Sequence, residues 1–186
     1  MTDLPSTRFS SAHILDEHFK AHRPRLSFRY ETREEWTSWR RELMEELHHI
    51  FGPMPPVGEP VKSYVLSCQE FDDYVQYKVV YETRPGVPVP AYLLVPKGIV
   101  QKRPAVLCVH GHVPGGKEAV VVGGHEFGIP YGAHLAKMGL LTLCPDNAGM
   151  GERSDPLGGC DLLWRRLNYL GLDLTGYLPA AGRSGI

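Results

Sequence analysis

From Thr32 onward the apolar positions Trp36, Trp39, Leu43, Leu47 and Ile50 recur every three or four residues, the spacing that lines one face of an α-helix. Thr32 is a good N-cap, Glu34 and Glu35 fall where carboxylates favour a helix start, and Gly52 follows the last apolar position. An amphipathic helix is therefore predicted over 32–52, and its tryptophans read as a docking face rather than a ligand-stacking pair. Residues 1–31 are polar and mixed, carry no sustained apolar period and read as a lead-in arm. Residues 53–61 hold four prolines and can continue neither a helix nor a central strand, so they read as a stiff connector.

The period then changes from helical to extended. Segments 62–70, 73–82 and 88–96 are rich in Val, Tyr and Leu and are separated by Asp72-Asp73 and by Arg84-Pro-Gly-Val-Pro, which predicts three strands in an antiparallel meander. Next come apolar Ala105–Val109, a glycine-rich loop from Gly111 to Gly128, a helix near Tyr131–Met138 closed by Gly139, and a second apolar run at Leu140–Cys144. Two all-apolar strands joined through a helix signal a βαβ unit in a buried parallel sheet. The fold class is α/β, with antiparallel N-terminal strands leading into a parallel sheet and an amphipathic helix before them.

Composition narrows the partners. With 186 residues and 42% apolar content, the chain can bury one core comfortably. Lys and Arg number 20 against 21 Asp and Glu, for a formal charge of -1, with no long block of one sign. No nucleic-acid or membrane-surface partner is expected. No run approaches the about 18 apolar residues of a spanning helix, and Met1-Thr-Asp-Leu-Pro lacks a secretory signal, so a soluble cytoplasmic protein is expected. Cys68, Cys108, Cys144 and Cys160 show no CxxC spacing; Cys108 and Cys144, inside apolar runs, read as core residues in a reducing compartment.

Candidate chemistry concentrates where the two apolar runs end. The first ends in His110-Gly111-His112, at a strand carboxyl end, where open α/β sheets place ligands. A glycine there permits a sharp turn that leaves the next N–H unpaired, so the His112 amide is a candidate oxyanion donor, with His110 and Gly111 shaping its loop. The second delivers Asp146 onto a turn bearing Gly149, Gly151 and Arg153. Asp146 reads as an anchor of its own loop, accepting backbone N–H groups or pairing with Arg153, in preference to a general base. His110, His112, His125, Glu126 and His134 crowd together in sequence, but Gly111 breaks the strand that would put the first two on one face, so no metal is expected. Gly115-Gly-Lys117 is followed by Glu118 and does not match a phosphate-binding loop; no cofactor is expected.

Taken in order, Val89-Pro-Ala-Tyr-Leu-Leu-Val-Pro-Lys97, Pro104–His112, Gly132-Ala-His-Leu-Ala-Lys-Met-Gly139 and Cys144-Pro-Asp-Asn-Ala-Gly-Met-Gly-Glu-Arg153 resemble the α/β-hydrolase superfamily, more narrowly its acetyl xylan esterase-like and dienelactone hydrolase-like branch. The Leu26-Ser-Phe lead-in, the Trp36 helix and Gly52-Pro-Met-Pro resemble that branch's N-terminal extension, so the similarity runs over roughly residues 26–176. It implies a serine ester hydrolase acting through an acyl-enzyme on a small-molecule ester, with His112 supplying one oxyanion-hole amide. It also implies a G-x-S-x-G nucleophile elbow after the next strand, with an acidic residue and a histidine beyond.

No such elbow stands in this sequence. Ser184, in Gly182-Arg-Ser-Gly-Ile186, lacks the second glycine and follows no apolar strand. No catalytic triad is present, and residues 62–186 are expected to be an incomplete hydrolase core, truncated or frameshifted and inactive alone. An incomplete sheet is expected to self-associate through its exposed edge. The alternative is a non-catalytic binding or interaction module that kept the hydrolase-like framework.

Overall fold

The computed structural model describes residues 11–51, 62–84, 86–98, 104–124 and 128–172. Two compact units divide the chain, Met1–Leu47 and His48–Ile186, the division falling inside a helix.

In the first unit, α1 spans Ser11–Ala21, and α2 begins at Arg33 and runs to Phe51. Thr32 and Glu35 cap α2 reciprocally: the Glu35 amide donates to Thr32 Oγ1 at 3.2 Å, and the Thr32 amide donates to Glu35 Oε2 at 3.1 Å. This capping box satisfies two amides that the helix cannot. The Glu31 amide donates to the same carboxylate, and with Thr32 it holds the Glu35 carboxyl below its ordinary value by stabilising the charged form. Trp39 Nε1 donates to the Leu26 carbonyl at 3.0 Å, and its ring meets Phe28 edge-on at 4.9 Å. The segment between the helices therefore folds back onto α2, and Arg25 reaches Glu42 and Glu46 from it.

The second unit is a five-stranded sheet in the order β1-β2-β3-β5-β4. Strands β1 (Ser63–Glu70), β2 (Tyr74–Arg84) and β3 (Val87–Pro96) form an antiparallel meander. Strand β5 (Leu141–Pro145) runs antiparallel to β3 and parallel to β4 (Ala105–Leu107). Between β4 and β5 lie α3 (Glu118–Val121) and α4 (Tyr131–Lys137), and α5 (Gly159–Tyr169) follows β5 after a 3₁₀ turn at Gly151–Arg153.

Side chains alternate across this sheet with period two. Tyr92 lies opposite Cys144 and Leu93 opposite Leu143, and each pair faces its own core. On one face Tyr74, Leu94, Cys108 and Cys144 are buried with Val120, Val121, Ala133 and Ala136 of the two helices. On the other, Val79, Tyr81, Val89 and Ala91 are buried, with Tyr77, Leu93 and Leu143 against them. Gly132 sets the closeness of α4, since a Cβ there would stand 2.8 Å from Cys144 Sγ and 3.0 Å from the Val120 carbonyl oxygen. Burial pushes the thiols of Cys108 and Cys144 above their ordinary values, because an apolar surrounding disfavours thiolate.

The α/β class, the meander and the parallel βαβ unit follow the sequence expectations. Three details differ. Residues 11–21, expected within an arm, form α1, which buries no residue and exposes Ile14, Leu15 and Phe19; the mixed pattern hid a helix that has no core to face. The glycine-rich loop contains the single turn of α3, whose Ala119, Val120 and Val121 are all buried. Strand β4 ends at Leu107, before the predicted Val109, and Cys108 N donates to Leu143 O at 2.8 Å as the chain leaves the sheet. The proline connector at 53–61, His125, Glu126 and Ser184 lie outside the described residues.

Candidate functional site

Parallel pairing of β4 with β5 places Leu107 beside Leu143, so the two loops expected to carry chemistry leave the sheet side by side. A buried histidine ties them together. The Asn147 amide donates to His110 Nε2 at 2.9 Å, and Asn147 Nδ2 donates to the His110 carbonyl at 3.1 Å. A backbone N–H can only donate, so Nε2 accepts and the ring proton sits on Nδ1, which donates to the Gly111 carbonyl at 2.7 Å. Both ring nitrogens of His110 are thus committed to holding the loop.

Asp146, 1% exposed, is the hub of the second loop. Its Oδ1 accepts the Lys117 amide at 2.8 Å, and its Oδ2 accepts Lys117 Nζ at 2.7 Å and the Glu152 amide at 3.1 Å. The cation on this carboxylate is therefore Lys117, not the expected Arg153, whose Nη1 donates instead to the Asp146 backbone carbonyl at 3.2 Å. Lys117 Nζ also donates to Glu152 Oε1, Glu152 Oε2 accepts Lys78 Nζ at 2.7 Å, and the ammonium stands 5.2 Å from the Tyr92 ring centroid. Gly116 and Gly151 adopt φ of 54° and 53°, and a Cβ on either would collide with the Asp146 carboxylate. Only glycine lets two backbones close over one buried anion in this conformation.

Burial alone would lower the Lys117 pKa. The hydrogen bonds and charges of Asp146 and Glu152 outweigh it and hold the ammonium above its ordinary value. Partial burial would raise Glu152, but its hydrogen bonds to Lys117 and Lys78 bring it below the ordinary glutamate value. Burial first, then the 2.6 Å hydrogen bond to Glu118, pushes the Tyr92 phenol far up, so it acts as a neutral donor.

His112 stands apart from this network. Its side chain and Gly111 are exposed, and its amide donates to no group among the described residues. Gly111 adopts no positive φ; the chain turns sharply at His112, where the Val113 amide donates to the Gly111 carbonyl at 2.9 Å, and nothing lies within 4 Å of a Cβ built on Gly111. His112 Nε2 lies 3.0 Å from Cys160 Sγ, on the first turn of α5. With His110 buried and committed, the two histidines do not share an ion, and no three His, Cys, Asp or Glu side chains converge as a metal site among the described residues. His134 is exposed on α4. It lines a separate open cavity of about 570 Å³ with Tyr74, Gln76, Tyr92, Glu118 and Lys137.

The profile of the Abhydrolase family matches residues 2–160. The chain belongs to that family. The crystal structure of a candidate acetyl xylan esterase from Bacteroides fragilis superposes with TM-score 0.76 at 22% identity, over 92% of this chain and 48% of its own, which shows a shared fold. The abhydrolase chain thus spans about half the length of that structure. A methylesterase structure aligns over 67% of this chain and 27% of its own at 22% identity and TM-score 0.45, too low for a fold argument. No curated protein matches the chain in sequence.

Sequence reasoning missed Lys117, Glu152 and Cys160. A signal for the first was present: a buried aspartate after an apolar strand requires a buried cation or several donors, and Lys117 follows two glycines small enough to admit it. Replacing Lys117 with Met leaves Asp146 charged and unpaired, and is expected to destabilise the fold by about 3–5 kcal/mol, read as a fall in urea midpoint. The pH dependence has two edges. Glu152, lowered in the fold, contributes stability above the ordinary carboxylate range that is lost as acid protonates it; Lys117, raised, contributes stability below the ordinary lysine range that is lost at higher pH. Urea midpoints across pH should fall at both ends, and Lys117→Met should shrink the alkaline edge without abolishing it, because the raised thiols of Cys108 and Cys144 and the raised Tyr92 phenol also lose stability as pH rises.

Proposed function

We propose that this abhydrolase chain is the N-terminal part of a serine carboxylic-ester hydrolase, of acetyl esterase type, that acts through an acyl-enzyme. The observation that carries the reading is the His112 amide, without a partner among the described residues and on an exposed residue past the carboxyl end of a parallel strand, beside a loop fixed by His110 and Asp146. Such an N–H can stabilise the oxyanion of a tetrahedral intermediate without reorganising, and a fixed donor acts on developing charge more strongly than mobile water does. Gly111 carries no side chain to obstruct an acyl group approaching that donor. The loop from Asp146 to Arg153 is structural: its charges are spent on holding shape. The substrate in this reading is a small-molecule ester, and the described helices include none long and apolar enough to cross a membrane.

The nucleophile is the missing part. No G-x-S-x-G occurs in the sequence, so the serine and its acid and histidine belong to chain beyond these residues. The 186-residue chain is expected to show no sustained turnover of p-nitrophenyl acetate above its His112→Ala and Ser184→Ala variants, and Ser184-dependent turnover would overturn the reading. In a chain extended through the elbow, His112→Pro removes the amide proton. It is expected to lower kcat about 10²–10³-fold with KM little changed; unaltered kcat would remove His112 from the oxyanion hole.

The sheet edge bears on the same reading. Strand β4 is three residues long and borders solvent, with Leu107 44% and Val109 47% exposed, which offers unpaired backbone groups and apolar side chains to another strand. Self-association of the isolated chain through this edge is expected, seen as oligomer on size-exclusion chromatography; a cooperative monomer would contradict it.

A further inference from the structure

We propose that Cys160 is a nucleophilic thiol served by His112, a covalent modification site for soft carbon electrophiles that is separate from the serine chemistry above. Cys160 and His112 are 48 residues apart in sequence, and the fold brings Sγ to 3.0 Å from Nε2. A nucleophile within hydrogen-bond reach of a base is the arrangement covalent chemistry requires.

The contact is fixed on the thiol side. Gly149, at φ 78°, lies against the cysteine backbone, and a Cβ on it would stand 2.6 Å from Cys160 Cα. Gly158 caps α5 with no side-chain hydrogen bond, and the Gly159 amide donates to the Asp155 carbonyl at 3.0 Å, which holds the turn that carries the sulfur. The imidazole is solvent-accessible, so a proton taken from sulfur can pass on to water.

The other cysteines set the comparison. Cys108 and Cys144 are buried, whereas Cys68 is exposed on β1 and makes no side-chain hydrogen bond among the described residues. In the reaction with iodoacetamide, sulfur forms a bond to the methylene carbon as the carbon–iodine bond breaks, iodide leaves, and the thiol proton passes to His112 Nε2. The adduct then sits against the loop that carries the His112 amide.

The test is the rate of iodoacetamide labelling of each cysteine in the full chain at neutral pH, followed by peptide mass spectrometry. Cys160 is expected to label on the order of tenfold faster than Cys68, as general-base assistance provides. His112→Ala should bring Cys160 to the Cys68 rate while leaving Cys68 unchanged. His112→Gln, which keeps a hydrogen-bonding side chain but takes no proton, should behave as the alanine variant does. A Cys160 rate equal to that of Cys68 in the unaltered chain, or selectivity retained with glutamine, overturns the proposal. Neither outcome depends on the missing serine, so it stands or falls apart from the esterase reading.

Discussion

A buried carboxylate governs the carboxyl end of this sheet. Asp146 leaves β5 into a space closed to solvent, where an ion without partners would be untenable. Its partners come from both sides of the crossover: the amide and ammonium of Lys117 from the loop after β4, and the Glu152 amide from the turn after β5. One side chain thereby makes the conformation of each loop conditional on the other. Gly116 and Gly151 are part of the same constraint, because the carboxylate occupies the volume where their side chains would be. The extra negative charge of Glu152 is balanced from the sheet by Lys78, so the network of two cations and two carboxylates is neutral as a set, as a low-dielectric site demands.

How the fold was legible follows from which signals are local. Period-two patterning and turn residues marked β1, β2 and β3, and the apolar runs around Cys108 and Cys144 marked the parallel pair, because each pattern reports burial by that segment's own residues. The same logic failed for Ser11–Ala21, whose helix buries nothing and so leaves no stripe to read. It failed for α3, one turn whose burial comes from the sheet and α4 rather than from its own period.

At the site, legibility divides along the same line. His110, His112 and Asp146 announced themselves by standing at the ends of apolar strands. Their partners did not, because a partner is chosen by tertiary approach: Lys117 lies 29 residues from Asp146 and Cys160 lies 48 from His112. Arg153 is the nearer cation to Asp146 in sequence, yet the lysine stem crosses Tyr92 to reach the carboxylate, while Arg153 Nη1 donates to the main-chain carbonyl of Asp146. Nearness along a chain is weak guidance once a group is buried, since geometry at closest approach decides which charge pays the smaller desolvation penalty.

What remains chemically available emerges by accounting for each donor and acceptor at the sheet's carboxyl edge. His110 has both ring nitrogens engaged, Asp146 has both oxygens engaged, Lys117 Nζ serves two carboxylates, and Asn147 is held by its amide and its side chain. These groups are rigid because they are satisfied, and that satisfaction removes them from reaction. The His112 amide has no partner among the described residues, and the imidazole of the same residue meets only a thiol. A polar network built around Asp146 thus fixes the loops, and the two proposed roles, oxyanion donor through the backbone and base through the side chain, both fall on the exposed His112 beside it.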